Sequence, residues 1–146
     1  MVYIRIEAEV KPTEDVSKVL RAIKNIIDSE NIKIEDIGNE YKVIIVEETN
    51  INSLKKLYSL LRRQKILDSA RNILLRHLKG NSVEFKLNKQ AVYQGVISFV
   101  ESDTESPLGA ITILITSPKI NLIIDWLTPR TSRGKPIWEI EPPSDA

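Results

Sequence analysis

The sequence contains no cysteine, which excludes disulfides, thiolate metal sites and cysteine nucleophiles together. Its one histidine, His77, cannot form a metal site alone. No known motif sets a serine, cysteine or carboxylate beside it, so a cap or helix-packing role is expected. No apolar run is long enough to cross a bilayer, and no charged n-region with an apolar core opens the chain. A soluble, cytoplasmic protein is therefore expected. No Walker loop or GxGxxG turn is present, which removes nucleotide hydrolysis and dinucleotide binding. Aromatic residues make up only 5% of the chain. Among the basic residues only Tyr58, Phe85 and Tyr93 could stack on bases, too few for a single-strand stacking platform.

At 146 residues the chain suits one domain with a proper core. There are no internal repeats. Isoleucine, lysine and glutamate are abundant beside a single methionine, a composition that favours ion pairs over a larger core. Net charge is only +1, but it is unevenly spread. Residues 51–100 hold ten basic and two acidic side chains, a net +8, between thirds of net −4 (seven and eleven) and −3 (four and seven). Such asymmetry suits either a polyanion-binding face or a solvated face whose cations meet the acids of the flanking thirds.

Most of that charge lies in residues 52–80. Leu54, Leu57, Tyr58 and Leu61 share one helical face, whereas Ile66, Leu67, Ala70, Ile73, Leu74 and Leu78 form a second stripe about half a turn away. Either the helix breaks at Arg62-Arg63-Gln64-Lys65, or it buries opposite faces in its two halves. Unpaired charge is costly to bury, so Arg62, Arg63 and Lys65 are expected at the surface. Asn52 or Ser53 suits the N-cap, and Gly80-Asn81 a C-terminal stop.

Val2, Ile4, Ile6, Ala8 and Val10 alternate with polar residues, which predicts an opening strand with one buried face. Thr13 is the expected N-cap of a first helix with an apolar stripe through Val19 and Ile23. Ile32–Ile37 and Tyr41–Glu48 read as a hairpin around Gly38-Asn39. Val83, Phe85 and Leu87 mark a strand, Ala91–Val100 a further strand with Gly95 as a bulge, and Ala110–Thr116 a β-branched strand. Ser117-Pro118 opens a last helix ending at Leu127. That helix is apolar nearly all round, so it is buried or meets a partner. The predicted fold is α+β, a two-layer sandwich with a largely antiparallel sheet of five to six strands and helices packed on one face. Residues 1–131 form the domain, and 132–146 a tail that is flexible or adds an edge strand through Ile137, Trp138 and Ile140.

Two small features carry competing readings. Glu101, Asp103 and Glu105 alternate in one loop, but without the glycine and ligand spacing of a calcium loop they read as solvated. Thr131-Ser132-Arg133-Gly134-Lys135 can grip a phosphate or be plain tail.

Five blocks carry a resemblance: Pro12-Thr13-Glu14-Asp15, residues 61–68 (LRRQKILD), Leu87-Asn88-Lys89-Gln90-Ala91, Glu105-Ser106-Pro107-Leu108-Gly109, and Asp125 through Thr131. Together the chain resembles an archaeal family of uncharacterised proteins described as predicted RNA-binding proteins and exosome subunits. It departs from that pattern at Ala110, where a second proline is expected. The resemblance implies a fold similar to the large-subunit ribosomal protein that binds 5S rRNA, and no enzymatic activity. It points to Arg62, Arg63, Gln64, Asn88, Lys89, Gln90 and Arg130. With the charge pattern, the expected interface is Arg62, Arg63, Gln64, Lys65, Arg71, Arg76, Lys79, Lys86, Asn88, Lys89, Gln90 and Arg130. It reads structured RNA by shape and backbone, along the basic helix and the next strand. If roughly six of these cations met phosphate, affinity would fall steeply with salt. No cofactor or metal is expected. The partner is RNA, within an RNA-processing assembly. The alternative is an assembly subunit without RNA affinity, dimerising through Leu122 and Trp126 on the last helix.

Overall fold

A computed structural model describes residues 1–102 and 108–143. Asp103, Glu105, Ser106 and Pro107 of the acidic loop lie outside the described residues.

Strand β1 (Tyr3–Val10) turns Ile4, Ile6, Ala8 and Val10 inward and Tyr3, Arg5, Glu7 and Glu9 outward, as its alternation requires. It sits inside a seven-stranded sheet with β2 (Ile32–Gly38), β3 (Tyr41–Glu48), β4 (Leu78–Lys79), β5 (Ser82–Asn88), β6 (Phe99–Val100) and β7 (Ala110–Thr116). The order is β2-β3-β1-β7-β5-β4, with β6 also on β5, and every pairing is antiparallel. Register aligns Ile6 with Val46 and Ile113, and Phe85 with Ile113, so one face is continuously apolar. Sequence alone predicts five to six strands; the count rises because β4 and β6 are two-residue pairings without periodicity of their own.

Helices α1 (Val16–Lys24), α2 (Lys55–Arg63), α3 (Leu67–Arg76), α4 (Lys89–Tyr93) and α5 (Ile120–Leu127) close that face. Ile23, Leu57, Leu61, Leu74, Val92 and Ile124 join the inward strand residues in one core. The α+β sandwich is thus as the residues predict.

Several local expectations give way. Asp15, not Thr13, caps α1, accepting from Ser17 N at 2.9 Å, while Glu14 turns back to accept from Lys11 N. Asn50 caps a 3-10 turn (Ile51–Leu54) ahead of α2, displacing Asn52 and Ser53 from that role. Residues 91–100 do not form a strand. Asn88 accepts from Ala91 N at 2.9 Å, so α4 starts at once, and only Phe99–Val100 is extended. A local side-chain cap here outweighs β-propensity.

The basic segment breaks into two helices. Lys65 takes φ +58°, and the N–H groups of Lys65 and Ile66 donate to the carbonyls of Arg62 and Leu61 at 3.1 and 3.3 Å. That is the paired bonding of a Schellman stop, with lysine where glycine is usual. After α5 the chain forms a hairpin, β8 (Thr131–Ser132) and β9 (Lys135–Pro136), around Arg133 (φ +54°) and Gly134 (φ +79°). Residues 137–143 then run without strand or helix. Trp138 Nε1 donates to Asp125 O at 3.0 Å, which ties this strap to α5.

Candidate nucleic-acid interface

The structure sorts the expected RNA contacts into those committed inside the fold and those left exposed. Lys89 is the clearest correction: it is buried, and its ammonium donates to Glu9 O and Leu108 O at 2.6 Å and to Glu14 Oε1 at 3.0 Å. All three protons are used, which is the condition under which a lysine tolerates burial.

Arg62 is also drawn inward, with its side chain only 17% exposed. Its guanidinium lies 3.4 Å from the centre of the Tyr58 ring, which stacks on Trp126 at 5.0 Å. It donates to Trp126 O and Leu127 O at 3.1 and 3.3 Å and pairs with Glu139 at 2.6 Å. Burial raises the Tyr58 phenol above its usual value, and the Arg62 charge opposes this. Arg71 binds Asp125 at 2.9 Å and Thr128 O at 2.8 Å under Trp138. Gln64 clamps Ile97 through both its amide atoms, at 2.6 and 3.0 Å, and Asn88 is the α4 cap. These side chains hold elements together. For Arg62, Arg71 and Gln64 residue order could not show this, because the partners that commit them lie more than thirty positions away.

Arg76 is exposed but paired with Glu101 at 2.6 Å, and His77, the C-cap of α3, meets the same carboxylate at 3.1 Å. Lys86 points to the opposite side of the sheet from the helices, because Phe85 and Leu87 point inward. It stands across from Thr112 on the open face, so helix and following strand do not present one basic surface. Lys79 sits at the β4–β5 turn, and Gln90 edges a separate cleft between α1 and α4; both are exposed. The last helix leaves Leu122 at 47% exposure but buries Trp126 to 3%, so Trp126 offers no contact to a second copy.

Arg63, Lys65 and Arg130 remain, exposed and with no side-chain partner among the described residues. The hairpin adds Arg133 and Lys135 on the same terms. Thr131 Oγ donates to Asp68 Oδ1 at 2.6 Å, which docks the hairpin against the start of α3. Between them lies a cleft of about 220 Å³ bordered by Lys65, Asp68, Thr131, Gly134 and Glu139. Its two carboxylates are already occupied, by Thr131 and Arg62. Residue order left 131–135 open between a phosphate grip and plain tail; the hairpin and its position against α3 required the fold. Among the described residues, no helix is long and apolar enough to cross a membrane, and no group of three His, Cys, Asp or Glu side chains could hold a metal.

The fold falls within a defined class: a family model described as RNA binding matches residues 3–117. The chain belongs to that family and, more narrowly, to the UPF0201 proteins of archaea. It is 48% identical over 145 residues to the UPF0201 protein of Sulfurisphaera tokodaii, covering 99% of both. It is 45% identical over 139 residues to that of Aeropyrum pernix, covering 94% of this chain and 92% of the relative. The crystal structure of the UPF0201 protein from Methanococcus jannaschii matches with a TM-score of 0.83 at 36% identity, over 92% of this chain and 98% of that one. A DUF54 protein from Methanothermobacter thermautotrophicus, at 20% identity and a TM-score of 0.59, shares the fold over 84% of this chain and 92% of its own.

Proposed function

We propose that this is a non-catalytic, cytoplasmic RNA-binding protein that holds the backbone of structured RNA where the α2–α3 turn meets the β8–β9 hairpin. The observation that carries this reading is the set of unneutralised cations there, Arg63, Lys65, Arg130, Arg133 and Lys135, in a chain of a family described as RNA binding. Cations already paired inside a fold must break those contacts before they can meet phosphate; these five need not. Backbone contacts fix position and register without reading sequence. Work within an RNA-processing assembly, which the family resemblance implies, would follow from shared RNA.

Fluorescence anisotropy with a structured RNA over a range of salt tests the reading. Five phosphate contacts give a log–log salt slope of about −4. Arg63→Glu with Lys65→Glu should weaken binding and flatten that slope by about two, whereas Lys86→Glu on the open face should change neither. Binding indifferent to salt and to the double variant would remove the basis of the proposal.

A further inference from the structure

Arg62 uses all five of its N–H groups, but its partners differ in kind. Nη1 donates to Tyr58 O and Leu127 O at 3.4 and 3.3 Å, and Nη2 to Trp126 O at 3.1 Å. With the Tyr58 ring beneath it, the guanidinium plane is fixed by backbone and aromatic contacts that belong to α2 and α5. The remaining edge faces Glu139, with Nε to Oε2 at 3.1 Å and Nη2 to Oε1 at 2.6 Å. Two parallel N–H bonds of this kind fit a phosphate as well as a carboxylate. Glu139 itself is 51% exposed and belongs to the strap of residues 137–143, which carries no helix or strand. The same carboxylate borders the cleft that Lys65, Thr131 and Gly134 line.

We propose that the outward edge of Arg62 is a phosphate site covered by the chain's own Glu139, and that a phosphate group of bound RNA takes the carboxylate's place. This rests on the RNA reading above and deepens it, by naming one specific phosphate contact and a self-masking step. Exchange of one oxyanion for another never leaves Arg62 as an unpaired, largely buried charge, which would be costly. The released Glu139 passes into water. The bonds from Arg62 hold the Glu139 carboxyl below its usual range, so at neutral pH the competitor is fully charged. Because it is tethered, it competes at an effective concentration of about millimolar. A lone phosphate ion is therefore a poor rival, whereas an RNA also held by Arg63, Lys65 and Arg130 is a strong one.

The experiment compares the full chain with Glu139→Gln and with Glu141→Gln, each checked for retained fold by its NMR dispersion. Glu141 is an exposed acid on the same strap that makes no contact with Arg62, so its variant removes equal charge without uncovering the fork. Two probes are used: a structured RNA, read by anisotropy, and inorganic phosphate, read by the Arg62 Nε–H resonance. Glu139→Gln should tighten RNA by about tenfold, the factor of one released charge-assisted contact, and Glu141→Gln by no more than about twofold. Phosphate should shift the Arg62 Nε–H saturably in Glu139→Gln and hardly at all in the native chain. Equal RNA affinity in the two variants, with RNA still bound, overturns the masking and leaves the RNA reading standing. An Arg62 resonance that phosphate never moves in Glu139→Gln also overturns it. If that resonance titrates with phosphate while no variant binds RNA, the site takes free phosphate, and both the RNA source and the RNA reading are overturned.

Discussion

Lys89 Nζ lies 3.0 Å from Glu14 Oε1, with the two side chains only 4% and 8% exposed. The pair joins α4 to the start of α1, and the same ammonium reaches Glu9 O at the end of β1 and Leu108 O ahead of β7. Removal of one member of such a pair strands the other, a loss of about 3–5 kcal/mol. Lys89→Met should therefore lower the urea midpoint sharply. Lys89→Met combined with Glu14→Leu should recover part of the loss, since no charge is then left stranded. RNA affinity should be unchanged in both variants, measured where each is folded.

Lys65 occupies a left-handed conformation that favours glycine. Lys65→Gly should relieve strain and raise stability by about 1 kcal/mol, read as a shifted denaturant midpoint. It should weaken RNA binding in the same protein, because one free cation is lost. A fall in both quantities would place Lys65 in a structural role instead.

The Glu139 carboxyl is held below the ordinary glutamate range, first by the hydrogen bonds from Arg62, with burial opposing. A group whose folded pKa is depressed stabilises above its unfolded value, and that contribution is lost as pH falls through the folded value. The strap should thus be fully held at neutral pH and loosen only in acid, as pH falls below the ordinary glutamate value. The Trp138 indole N–H, bonded to Asp125 O at 3.0 Å, is the reporter: its NMR shift should move toward the solvated position in that window. In Glu139→Gln the pH-dependent movement should be absent.

Asn88→Ala should cost about 1 kcal/mol through loss of the α4 cap. Hydrogen exchange should show α4 fraying while the amides of β1 and β7 stay protected. Unchanged exchange in α4 would mean that packing of Val92, rather than the cap, fixes this turn.

Periodicity exposed much of the fold. The alternation in β1 and β5, the β2–β3 hairpin (its turn at Asn39-Glu40, one residue beyond the expected Gly38-Asn39) and the phase shift between α2 and α3 are all visible in residue order, because each depends on neighbours within a few positions. Residues 91–100 misled because β-branched composition outweighed one capping asparagine. The site was harder to read. Arg63 and Lys65 could be named from charge and Arg130 from the family resemblance, but charge named Arg62, Arg71 and Lys89 equally, and these look identical along the chain.

Residue order by itself determined the α+β class, the shift of apolar phase across Arg62-Arg63-Gln64-Lys65 and the concentration of positive charge in residues 51–100, whereas the break into two helices was settled only by the structure. The first three follow from local sterics and from which side chains avoid water. Only the tertiary structure decided which cations are spent and which are free. That choice depends on partners 57 to 77 positions away, Thr128 for Arg71 and Glu139 for Arg62. Such long-range pairing is set by packing, which brings the strap and hairpin onto α2 and α3, and no local pattern encodes it.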